Sequence, residues 1–214
     1  IYFTSGGTEA DNWAIKGLNA ARAPGRVVTS AIEHQAVLHS CQSLESMGHE
    51  VVYVPVDAHG VLDLEALEAS LDAGDTSLLS IMHANNETGS LQPVEEAGRM
   101  AKERGIPFHV DAVQTFGKQP VHPAQLNADA VSVSAHKVNG PKGVGALYVR
   151  AGTTIEALLH GGDHEGGLRA GTENVASIVG FGRAVELSQR EMGRTTEQWG
   201  RLRDRLESGI VDAL

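Results

Sequence analysis

Residues 26–54 read RVVTSAIEHQAVLHSCQSLESMGHEVVYV, and the change of period inside this stretch decides the fold. Arg26 to Ser30 is a short β-branched run of strand length. Gln35 to Met47 then sets Val37, Leu38, Cys41 and Leu44 near one face of a helix. Glu50 to Val54 returns to a strand. A strand, a helix and a second strand joined by short loops make a parallel βαβ unit.

The same alternation continues outward. Asp63 to Leu71 reads as a helix with an Asp cap and Leu64, Leu67 and Leu71 turned inward. Pro93 to Arg104 reads as a helix with Pro at its start and Gly105 just past its end. Ser77 to Met82, Pro107 to Asp111, Ala128 to Ser134 and Val144 to Val149 read as strands. The expected fold class is α/β, a three-layer α/β/α sandwich with a mainly parallel sheet. Residues 1–214 are expected to form one domain. A Gly/His/Asp-rich loop from His160 to Gly171 precedes two long helical segments, which from about residue 173 lead toward a second, smaller domain. The chain opens on Ile1-Tyr2-Phe3 without Met and stops inside the helical pattern Leu202, Leu206, Ile210, Leu214. The expectation is a piece of a longer polypeptide.

Composition narrows the partners. A formal net charge of −10 repels phosphate backbones and anionic lipid surfaces, which argues against nucleic acid and membrane. The apolar runs are strand-sized, too short to span a bilayer. The single cysteine, Cys41, excludes an internal disulfide and fits a reducing, cytoplasmic compartment.

Three constellations carry chemistry. Thr4-Ser5-Gly6-Gly7-Thr8-Glu9 lies between an apolar run and a helical pattern from Ala10 onward, so free amides there could hold an anion. The plainer reading is a capping loop with Thr8 as the cap. Asp111 closes a buried strand, with Gln114 three residues on. A buried carboxylate needs a partner. A pyridoxal-phosphate ring nitrogen is one such partner, with Gln114 on the ring hydroxyl. A cap for a helix starting at Ala112 is the other reading. Lys137 directly follows a strand and precedes the turn Val138-Asn139-Gly140-Pro141. A lysine desolvated there can act as a neutral amine toward a carbonyl carbon, with Ser134 and His136 close enough to help hold a phosphate. The alternative is a surface lysine in a loop.

Six segments in order then carry a resemblance: Gly-Gly-Thr-Glu at 6–9, Glu33-His34, HANNETG at 83–89, HVDAVQ at 109–114, SAHK at 134–137 and RAGTEN at 169–174. Together they resemble the cysteine desulfurases, pyridoxal-phosphate enzymes of the class V aminotransferase group, from Thr4 to about Val185. The resemblance implies the large domain of a fold-type I enzyme. It implies that Gly7, Thr8, Ser134 and His136 hold the phosphate and that His34 stacks on the ring and serves in acid/base steps. Asn86 lies near the ring hydroxyl and substrate carboxylate, Asp111 pairs with the ring nitrogen and Gln114 with the ring hydroxyl. Lys137 carries the cofactor covalently. Thr172 reaches the phosphate of a neighbouring subunit, which implies a homodimer. The implied reaction takes sulfur from L-cysteine, leaves L-alanine, and passes a protein persulfide to an acceptor or iron–sulfur scaffold protein.

The chain departs from the family pattern in several respects: Gly7 and Asn139 are minor changes, and the N-terminal segments that help close the family's active site are not matched. The family's sulfur-accepting cysteine and its substrate-carboxylate arginine belong to a C-terminal part that these residues do not match, and Cys41 reads as a packed helix residue. No metal site is expected, even with His160, Asp163, His164 and Glu165 in one loop. A selenocysteine lyase, another class V enzyme, and a catalytically incomplete pyridoxal-phosphate-binding or dimerising fragment are the alternatives. A nucleotide-binding protein fits poorly, since no full G-x-G-x-x-G follows the first apolar run.

Overall fold

The computed structural model describes residues 1–214. In chain order its elements are β1 (Tyr2–Thr4), α1 (Gly7–Ala20), β2 (Arg26–Ser30), α2 (Gln35–Ser46), β3 (Val51–Val54) and α3 (Leu64–Asp72). There follow β4 (Thr76–Met82), α4 (Val94–Glu103), β5 (Phe108–Asp111), β6 (Ala130–Ser134), β7 (Gly145–Val149) and α5 (Val175–Val211). Short 3-10 turns span Ala135–Val138 and His164–Gly167.

The strands form one seven-stranded sheet in the order β1-β7-β6-β5-β4-β2-β3. β7 runs antiparallel to both its neighbours, and the other strands share one direction. Neighbouring residues on a strand face opposite cores, as the period of two requires. Val27, Leu78, Ala130 and Leu147 pack with α1 and α2 on one side. Val28, Leu79, Val131 and Ala146 pack with α3, α4 and the start of α5 on the other. The three layers follow from this double burial, which also explains why the strands read as continuous apolar runs.

Most expected boundaries hold to within a residue or so; four features differ. α1 begins at Gly7, not Ala10, and its cap is Gly6 with no side-chain bond, so Thr8 is not the cap. No helix starts at Ala112; turns follow β5, and Asp111 Oδ1 accepts the Val113 amide at 2.9 Å. β6 begins at Ala130 because Asp129 turns aside, its Oδ2 accepting the Phe108 amide at 2.9 Å. After Gly171 there is a single 37-residue helix in place of two segments. It contains glycines but no proline, and only proline removes a helical donor. No helix is long and apolar enough to cross a membrane.

Candidate active site

A cavity of about 550 Å³ opens where β1, β2, β4, β5 and β6 end. That is where ligands sit on parallel sheets. Gly7, Thr8, His34, Asn86, Asp111, Gln114, Ser134, His136 and Lys137 all line it. Thr172 does not; it is exposed and lines a separate pocket of about 110 Å³ with Arg169 and Glu165.

One end of the cavity gathers hydrogen-bond donors that could hold an anion. The first backbone bond of α1 runs from the Ala10 amide to the Gly6 carbonyl, so the amides of Gly7, Thr8 and Glu9 precede the helical ladder. Ser134 Oγ and His136 Nδ1 stand 2.8 Å apart beside them. The loop is held close by its neighbours. A Cβ on Gly145 of β7 would sit 2.7 Å from the Gly6 backbone, and one on Gly7 would sit 2.7 Å from Val113 Cγ2. Glu9 closes the loop from the other side, taking the Ser5 amide at 2.9 Å.

The rim is pinned by Asn85. Its Oδ1 accepts the amides of Glu87 (2.8 Å) and Thr88 (2.9 Å), and its Nδ2 donates to the Ile32 carbonyl at 2.9 Å. This Asx turn, closed by Gly89 at φ 75°, ties the HANNETG loop to the segment after β2. Asn86 and His34 are thereby brought to the same rim. His34 caps α2, with Nδ1 accepting the Ala36 amide at 3.1 Å. That bond leaves Nε2 as the nitrogen that carries the proton in the neutral ring.

The floor is acidic and buried. Asp11 and Asp111 line it at 1% and 6% exposed, and Glu33, which does not line the cavity, is buried at 4% and feels the Asp111 charge. Burial pushes the Glu33 carboxyl up to about 8, against the opposing bonds from Ser30 and the Met82 amide. Burial also raises Asp11 and Asp111, Asp11 the further of the two. His109 lies between Ser80 Oγ (2.8 Å) and Ser132 Oγ (2.9 Å), and burial pushes it down to about 3, so it stays neutral.

Lys137 sits on the one-turn 3-10 helix rather than directly at the strand end, and it is half-buried rather than enclosed. It lines the main cavity and also a pocket of about 240 Å³ against α5. Gln114 receives Lys118 Nζ on its Oε1 at 3.4 Å, which leaves its Nε2 free to donate. In the His160–Gly171 loop, His164 Nδ1 accepts the Gly171 amide and Glu165 accepts the Phe3 amide. Sequence reasoning passed over Asp11. The signal for it was a carboxylate on the apolar face of α1, between Ala10 and Trp13.

An anion cradle, a buried acidic floor and a primary amine between them are the groups that a phosphorylated, cationic-ring aldehyde needs. The family model described as aminotransferase class-V matches residues 1–212. The chain belongs to that family. Class V aminotransferases are pyridoxal-phosphate enzymes, and the donor set of the cavity fits that cofactor. The chain is 52% identical over 213 residues to a cysteine desulfurase IscS of Methanosarcina thermophila, covering 99% of this chain and 52% of the relative. A NifS-like protein of known structure superposes with a TM-score of 0.93 at 44% identity, covering 99% of this chain and 59% of that one. A structure described as SspA in complex with cysteine matches at TM-score 0.82 and 45% identity, over 86% of this chain and 54% of that one. The α/β sandwich is therefore that of the fold-type I class V enzymes. The chain spans about half the length of the curated relatives it matches.

Proposed function

We propose that this class V chain is the cofactor-binding large domain of a cysteine desulfurase. The reading rests on one observation. Lys137, Asp111 and the α1 cradle converge on one cavity in a chain half identical to cysteine desulfurases.

Bound pyridoxal phosphate supplies an electron sink for charge that develops at an amino acid's α-carbon. Gly7 and Thr8 amides, Ser134 Oγ and His136 would bind phosphate oxygens. Asp111 would hold the proton on the ring nitrogen. Gln114 would donate Nε2–H to the ring hydroxyl oxygen, with Asn86 beside it and the substrate carboxylate. Lys137 would hold the cofactor and, once released by substrate, take the α-proton. His34 would exchange protons through Nε2.

The substrate is L-cysteine and the product L-alanine. The thiolate that takes the sulfur is not Cys41, which is fully buried; burial pushes it up to about 12, with Glu33 and Glu45 adding. The persulfide then passes to an acceptor or iron–sulfur scaffold protein. Thr172, exposed beside the cradle, supports a homodimer in which it reaches the other subunit's phosphate. Along α5, Trp199, Leu202, Leu206 and Ile210 stay exposed on one face, which supports a helix leading to a second, smaller domain. We place the enzyme in the cytoplasm.

The test is product analysis on the full-length protein given L-cysteine and a thiol reductant, beside selenocysteine and amino-acid/keto-acid pairs. Alanine and sulfide in equal amounts, abolished by Lys137→Ala, is the expected result. Amino-group transfer without sulfide would overturn the reading.

A further inference from the structure

β5 turns His109 and Asp111 to the same face, while Val110 joins the opposite core. That face is covered by α1, and Asp11 is buried in the interface and lines the cavity. Asp11 Oδ1 has no hydrogen-bond partner and is 3.7 Å from His109 Nε2. The Ser132 hydroxyl, across from Asp111 in the β5–β6 pairing, bonds His109 Nε2 at 2.9 Å and is the one hydroxyl that also eases charge on the Asp11 carboxyl. A buried carboxyl with one oxygen unpartnered and no cation beside it is costly to keep charged.

The charged and titratable groups around the two aspartates differ. Asp11 faces Asp111, Glu33 and the neutral His109, and no cation. Asp111 faces His34 and Lys137 across the cavity, and its Oδ1 takes the Val113 amide at 2.9 Å. Two carboxyls buried at one cavity, each raising the cost of charge on the other, do not both ionise readily.

We propose that Asp11 is a positioning residue that keeps a proton against Asp111, so that the negative charge of the pair sits on Asp111 and faces the cavity. Its purpose rests on the cofactor reading above: a single, directed charge is what a cationic ring nitrogen requires. Removing the proton-holding group would leave Asp111 in place and alter the field around it. No covalent step is involved.

The test is infrared spectroscopy of the full-length, cofactor-free protein with carbon-13 in its aspartate carboxyls, at neutral pH. The native protein is expected to show a protonated-carboxyl band. Asp11→Asn, which keeps the shape, is expected to lose it; Asp111→Asn and Glu33→Gln are expected to keep it. No band in the native protein, or a band surviving Asp11→Asn, overturns the proposal. If circular dichroism shows Asp11→Asn unfolded, the other two variants decide, since loss of the band in either is contradictory. Visible absorption after adding pyridoxal phosphate separates this from the cofactor reading. A band with no cofactor uptake sinks that reading and leaves the shared proton standing; uptake with no band does the reverse.

Discussion

Arg169 grips Glu9 with two hydrogen bonds, Nε to Oε1 at 2.8 Å and Nη2 to Oε2 at 3.2 Å. The pair joins the RAGTEN loop to the first turn of α1 across 160 residues of sequence. Both side chains are less than one-fifth exposed, so the bidentate geometry is shielded from solvent. Glu9 in turn holds the Ser5 amide. The residue that stiffens the anion cradle is therefore itself fixed by the loop that carries Thr172.

Cutting this link should loosen the cradle without touching it. Arg169→Ala is expected to cost about 2 kcal/mol, the range for a charged hydrogen bond that leaves its partner half-buried. Arg169→Lys should recover only part, since an ammonium cannot make the paired bond. Urea unfolding and titration of pyridoxal phosphate measure the two effects; a wild-type affinity in Arg169→Ala would mean the cradle is held by β7 alone.

Gly98 on α4 separates propensity from packing. Alanine is the better helix former by about 1 kcal/mol. Yet a Cβ there would overlap the Leu126 carbonyl oxygen and come within 3.0 Å of the Phe108 ring. Backbone cannot step aside as a side chain can, so overpacking should win. Gly98→Ala is expected to destabilise by about 2 kcal/mol, read as a lower urea midpoint. A stabilised variant would refute the packing argument.

Glu33 makes stability depend on pH. Its carboxyl lies at about 8 in the fold against an ordinary 4.5, so the folded chain binds the extra proton between those values. Its contribution is fully present below the lower value and is lost as pH rises through about 8. The loss is on the order of 5 kcal/mol at most. Glu33→Gln removes the titration, so its stability relative to the native protein should improve from about pH 5 to about pH 9. A difference that stays constant across that range would show that Glu33 is ionised throughout.

Cys41 should be chemically silent in the fold. It is 0% exposed, and burial keeps it a thiol. Alkylating reagents should modify it only after unfolding, and Cys41→Ala should leave cofactor uptake unchanged. Persulfide found on Cys41 after incubation with cysteine would contradict its exclusion as the sulfur acceptor.

Much of the fold could be read directly because its strands are buried on both faces. Runs such as SLLSIM at 77–82 admit few other structures. Residues at strand ends, such as Asp111 and Ser134, could be placed in the site from the β-α alternation alone. Two of the misreadings come from contact between segments distant in sequence, and the one at Ala112 from a local turn. Gly7 joins α1 because Val113 leaves no room for a side chain there. Ala112 starts no helix because Asp111 spends its oxygen on a turn. Asp11 escaped notice because its meaning lies in His109 and Asp111, a hundred residues away and on another layer.

Everything proposed for this site turns on Lys137 holding pyridoxal phosphate in the cavity. The direct measurement is visible absorption of the protein with added pyridoxal phosphate, followed by borohydride reduction and peptide mass analysis, beside Lys137→Ala. A lysine-bound cofactor band is expected in the native protein, none in the variant, and the reduced adduct on the peptide containing Lys137. An adduct on another lysine, or an identical band in Lys137→Ala, would contradict it.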